Sequence, residues 1–75
     1  MRWQDYIEQN PQVMLGKPVI RGTRITVEHI LEELGHGMSE EELLRGHPRL
    51  TPDAIRAALL CGAASVRLDL LLSEV

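Results

Sequence analysis

Met38-Ser39-Glu40-Glu41-Glu42-Leu43-Leu44-Arg45-Gly46-His47-Pro48-Arg49-Leu50-Thr51-Pro52-Asp53-Ala54-Ile55 is the stretch that decides the fold. It holds the two clearest helix starts in the chain, separated by one break. Ser39 followed by Glu42 is a capping box, in which hydroxyl and carboxylate each accept a bond from the other residue's otherwise free backbone N–H. Met38 before the cap and Leu43 inside the helix can close as a hydrophobic staple. Glu40 and Glu41 stand in the first turn, where the helix dipole favours negative charge. Gly46-His47-Pro48 ends this helix, because proline has no N–H and its ring disfavours a helical residue before it. Thr51 then caps another helix, with Pro52 at its first position and Asp53 in its first turn. Leu50 before that cap can staple to Ile55. A short helix, a tight turn at Pro48-Arg49-Leu50 and a longer helix form a helix-turn-helix outline over residues 39–65.

Downstream, Ile55, Leu59, Gly62, Ala63, Val66 and Leu70 step by three or four, which predicts a core-facing stripe. Gly62 in a helix interior costs roughly 1 kcal/mol, so close packing or a break is expected there. Upstream, Thr26 is the cap of a first helix. Val27, Ile30, Leu31 and Leu34 fall on one face, Glu28, His29, Glu32 and Glu33 on the other, and Gly35 and Gly37 close it. The three helices come to about 10, 8 and 20 residues. Residues 1–26 carry Pro11, Gly16, Pro18 and Gly22, too closely spaced for a helix. Short β-rich pieces lie between them: Trp3 to Ile7, Val13 to Leu15, Val19-Ile20 and Ile25-Thr26-Val27. Asn10-Pro11 and Gly16-Lys17-Pro18 read as turns. The expected architecture is one mainly α domain over 1–75. A short β-hairpin or extended arm (1–26) precedes a three-helix bundle (26–75).

A chain of 75 residues has room for one small core. Such a core rarely yields more than about 3–5 kcal/mol, so a second copy or a protein partner is expected to supply the rest. The lone Cys61 excludes an internal disulfide, and no Cys/His cluster suggests structural zinc. Hydrophobic residues at 44% place the chain among globular sequences rather than disordered ones. No apolar run approaches the roughly 18–20 residues of a membrane span, and no signal-peptide pattern opens the chain, so a cytoplasmic protein is expected. The net charge of −3 hides a layout: residues 27–44 carry six Glu and no Lys or Arg, between an N-terminal segment of net +2 and a C-terminal one of net +1. The glutamates read as solubilising exposed helix faces.

Gly16-Lys17-Pro18-Val19-Ile20-Arg21-Gly22-Thr23-Arg24-Ile25, then Gly37-Met38-Ser39-Glu40-Glu41-Glu42-Leu43-Leu44, then Pro48 to Leu59, resemble the domain-of-unknown-function family 433. The likeness spans residues 7 to 65. It implies a homeodomain-like three-helix fold and the antitoxin class of VapBC-like toxin–antitoxin pairs, whose partner is a PIN-like nuclease. One departure stands out: members commonly carry an aromatic residue before the proline of the second turn, and this chain has His47.

Three sets of residues compete for function. Lys17, Arg21 and Arg24 can meet phosphate or an acidic partner. Alternatively Arg21 or Arg24 pairs with glutamates of the first two helices, within the protein or across a dimer, while Gly16 and Gly22 supply positive φ. The arm is no P-loop, lacking the Gly-x4-Gly-Lys-Ser/Thr order. Arg49, Thr51, Asp53, Arg56 and Ala57, at the start of the third helix, are the DNA-facing candidates. Arg56 would read guanine and Arg49 hold phosphate, in a dimer on operator DNA. Asp53 and the six-Glu block oppose that reading. Arg67, Leu68, Leu71, Leu72 and Val75 lie off the core stripe and suit a dimer seam or a partner's groove. His29, His36 and His47 lack metal-ligand spacing, and no nucleophile–base arrangement suggests itself, so no enzyme, metal, cofactor or small-molecule substrate is expected. Three functions follow: an antitoxin neutralising a PIN-like ribonuclease and also repressing its operon, a dimeric DNA-binding regulator, or a plain dimerisation scaffold.

Overall fold

The computed structural model describes residues 1–73, with side chains as far as Arg67. Three helices form: α1 (Val27–Gly35), α2 (Glu40–Gly46) and α3 (Pro52–Ser73). Each starts where its cap predicts. Thr26 Oγ1 accepts from the His29 N–H at 2.9 Å. Ser39 Oγ accepts from the Glu42 N–H at 3.1 Å, and the Ser39 N–H donates to Glu42 Oε1 at 3.0 Å. Thr51 Oγ1 accepts from the Ala54 N–H at 3.1 Å. These bonds use donors that the first turn of a helix otherwise leaves free. Gly37, at φ +98°, turns the chain out of α1, and the Met38 N–H returns to the Glu33 carbonyl at 3.0 Å.

The arm is less strand-like than its composition predicts. Two two-residue strands, β1 (Ile7–Glu8) and β2 (Val19–Ile20), pair antiparallel with Ile7 opposite Ile20 and Glu8 opposite Val19. Trp3–Tyr6 and Met14–Gly16, both expected to be extended, are single 3-10 turns instead. Trp3 and Ile7 pack against the helical core, and winding the first of these segments brings both onto it. Val19 forms an isolated bridge to Thr26, and the Val27 N–H donates to the Pro18 carbonyl at 2.9 Å, joining β2 to the entry of α1.

The core gathers Ile20, Val27, Ile30, Leu43, Leu50, Ala54, Ile55, Ala58 and Cys61. Ile30, Leu43, Ile55 and Val19 are fully buried, and each such side chain contributes about 1.5–3 kcal/mol. Both predicted staples lie in or against this cluster: Met38 with Leu43, and Leu50 with Ile55.

α3 corrects the predicted stripe. Its buried face is Ala54, Ile55, Ala57, Ala58 and Cys61, whereas Leu59 and Val66 are about half exposed (47% and 56%) and Ala63 faces solvent. The small residues let α1 and the Trp3–Tyr6 turn approach α3 closely, which rotates the larger Leu59 outward. Gly62 belongs to the same close approach. A Cβ built on it would lie 2.7 Å from Leu31 Cδ1, so α1 rests where a side chain would stand. No break in the helix results.

Candidate interaction surfaces

Of the four cations in the arm, Arg2, Arg21 and Lys17 are engaged internally, Arg2 lying 3.8 Å from Asp5. Arg21 donates from Nε to the Asp5 carbonyl at 2.9 Å and from its terminal nitrogen to the Ile7 carbonyl at 3.1 Å. It thereby ties the segment after β2 to the N-terminal turn, rather than pairing with the glutamates of α1 and α2. Lys17 Nζ does meet such a glutamate, Glu28, at 3.0 Å. Arg24 is exposed and has no hydrogen bond or ion pair among the described residues. It lines a hollow of about 260 Å³ with Met14, Ile25, Thr26, His29 and His47. His47, in the place where an aromatic was expected, is half-buried and meets His29 edge-to-face, with ring centres 5.6 Å apart.

Around the start of α3, Arg49 and Arg56 are exposed, and Arg56 lies 3.8 Å from Asp53, one turn back. The Thr51 hydroxyl is committed to capping. Ala57 is fully buried and faces the core, so it leaves the set of outward candidates. Cys61 is buried, and burial pushes its thiol up, which keeps it protonated and unreactive. Among the described residues, no three His, Cys, Asp or Glu side chains gather as a metal site. No helix among them is long and apolar enough to cross a membrane.

An apolar surface lies between α1 and α3. Leu31, Leu59, Gly62, Ala63 and Val66 line an open groove of about 590 Å³, with Arg67 at its margin. Towards the start of α1 it continues past Val27 and Ser65 to Glu28 and Glu32. One long edge is therefore acidic and the other carries Arg67. Of the stripe that the sequence assigned to the core, Ile55 is buried there as expected, Leu59, Gly62, Ala63 and Val66 line this surface instead, and the side chain of Leu70 lies outside the described residues. Leu68, Leu71, Leu72 and Val75 lie outside the described residues as far as their side chains are concerned.

One feature had no signal in the sequence. Met14 and Leu15 both take positive φ (49° and 59°), and Leu15 is 92% exposed. Left-handed backbone is usual for Gly, Asn and Asp. Neither Met nor Leu announces it.

The family described as "Protein of unknown function (DUF433)" matches residues 7–60. The chain is a member of the DUF433 family. A relative in Sinorhizobium fredii (strain NBRC 101917 / NGR234), "Uncharacterized protein y4eO", is 31% identical over 62 residues, covering 83% of this chain and 28% of the relative. The crystal structure of a DUF433 member protein from Anabaena variabilis superposes with a TM-score of 0.81 at 31% identity, over 87% of this chain and 64% of that one. This DUF433 chain thus spans about a quarter of the curated relative's length and under two thirds of the solved structure's.

Proposed function

We propose that this DUF433 chain is an interaction protein of the antitoxin type, which dimerises and uses the outer face of α3 to bind and neutralise a PIN-like ribonuclease. The observation that carries the reading is the apolar stripe Leu59, Ala63 and Val66, left in solvent on a helix whose other face already completes the core. Exposed contiguous apolar surface of this kind marks a site of association. Arg67 at its margin supplies a cation to a nuclease centre built of metal-binding carboxylates. Co-expression with the nuclease encoded beside it tests the reading. A stoichiometric complex with suppressed nuclease activity is expected, and Val66→Glu should disperse it because a buried carboxylate would lack a partner. Separate elution of the two proteins would sink it.

A second reading, operator binding, draws on the α2–turn–α3 arrangement with Arg49 and Arg56 exposed where a recognition helix begins. There Arg56→Ala should weaken operator binding by about 1–3 kcal/mol if it reads a base. Equal retention of operator and scrambled duplex would dismiss it.

A further inference from the structure

We propose that the hollow between the entry to α1 and the α2–α3 turn seats a phosphoryl group. Three nitrogen-bearing side chains converge there from separate parts of the fold: Arg24 from the segment after β2, His29 from α1 and His47 from the end of α2. No carboxylate stands in the lining. Arg24 is the decisive member. Arg2, Lys17, Arg21 and Arg56 each meet a carboxylate or carbonyl, whereas Arg24, like Arg45, Arg49 and Arg67, meets neither among the described residues, and of these four it is Arg24 that lines this hollow. A guanidinium fork matches two phosphoryl oxygens at once, and imidazole N–H groups from two further directions match the others. Arg24 makes the same hollow unfavourable for a metal cation, even with two imidazoles present.

The remaining walls narrow the class. Thr26 spends its hydroxyl oxygen on the His29 N–H and adds shape rather than a free acceptor. Met14 and Ile25 are apolar, so the hollow has a side for carbon as well as for oxygen. Met14 stands there on the left-handed segment already described, and strained backbone that the surroundings hold in place is concentrated at functional sites. A phosphate ester satisfies both walls. Glu33, whose carboxylate is 3.9 Å from His29 Nε2, lies outside the lining. The adjoining hollow shares Met14, Thr26 and His29 with this one and adds Glu28, Glu32 and Lys17, whose Nζ lies 3.0 Å from the Glu28 carboxylate. The site is separate from the α1–α3 groove, so it stands or falls independently of the antitoxin reading.

The experiment is an NMR titration of the full chain, following the imidazole protons of His29 and His47. The probes are inorganic phosphate, glycerol 3-phosphate and a short DNA duplex. Saturable shifts at both imidazoles are expected with glycerol 3-phosphate. Arg24→Ala should weaken that binding about tenfold or more, while Arg2→Ala, outside the lining, leaves it unchanged. Arg24 touches nothing that holds the fold, so its variant tests binding alone. Duplex binding tighter than that of the ester, and equally sensitive to Arg24→Ala, would identify the source as a nucleic-acid backbone. Ester binding without duplex binding would identify a small phosphate ester. Absence of saturable shifts with any probe, or equal affinity in Arg24→Ala, would overturn the proposal.

Discussion

The arm and the helical body of this protein are held by different forces. In the body, three side-chain caps set the helix starts, and an aliphatic core of Ile30, Leu43 and Ile55 holds the helices together. In the arm, regular pairing amounts to two residue pairs, and isolated bridges and side-chain bonds supplement it, among them Arg21, which reaches two carbonyls of the N-terminal segment. The body is apolar burial bounded by local signals. The arm is polar bonding around irregular backbone, including two left-handed residues that are not glycine. Local rules therefore describe the body well and the arm poorly.

Five substitutions probe that contrast. Leu43→Ala should cost the most, about 2–5 kcal/mol, since it opens a cavity at the centre of the body. In a domain this small that is enough to abolish cooperative unfolding in a urea titration, and a loss below 1 kcal/mol would mean that the core is elsewhere. Ser39→Ala should cost about 0.5–2 kcal/mol by removing the cap of α2, read as a lower urea midpoint with unchanged slope. The same cap has a pH signature. The Ser39 backbone N–H and then its side chain hold the Glu42 carboxyl below its usual value of 4.5. A depressed folded value stabilises the protein above the unfolded value and is lost as pH falls through the folded one. Glu42→Gln should therefore lower stability at neutral pH, flatten the acid limb below pH 4.5, and leave stability nearly unchanged at pH values below the folded one.

Arg21→Ala should cost about 1 kcal/mol through its two carbonyl bonds, with faster hydrogen exchange confined to the arm. Unchanged exchange there would show the arm to be held by Trp3 and Ile7 alone. Leu15→Asn is the smallest effect and has the opposite sign. An asparagine tolerates left-handed backbone, so thermal unfolding should move upward by the equivalent of about 0.5–1 kcal/mol. A lower midpoint would mean that Leu15 makes a contact worth more than its strain.

What the sequence could show differed in the same way. Ser39 with Glu42, Thr51 with Pro52, and Gly37 are read directly, because a cap or a left-handed turn acts on its own neighbours. The family, too, was legible in the Gly16–Ile25 segment and its two companions, and the match over residues 7–60 bears it out. The 3-10 turns were not legible. Trp3 and Ile7 have the composition of a strand, and only the presence of the helical core makes a wound turn the better way to bury them. The candidate surfaces divide likewise. Arg21 and Arg24 stand three residues apart and look alike on paper, yet one spans to carbonyls of the arm and the other opens on a hollow with two histidines.

The amino-acid sequence by itself determined where each helix begins, where α1 and α2 end, and that the chain is mainly α. Caps, prolines and glycines operate within about one helical turn, so nothing distant can hide them. Only the tertiary structure decided which side of α3 is interior. A run of Ile55, Leu59, Gly62, Ala63 and Val66 satisfies helical spacing as well as the alanine face does, and periodicity cannot choose between adjacent stripes. The choice falls to close packing: Ala54, Ala57, Ala58 and Gly62 admit α1 and the N-terminal turn, and Leu59 and Val66 are left facing out.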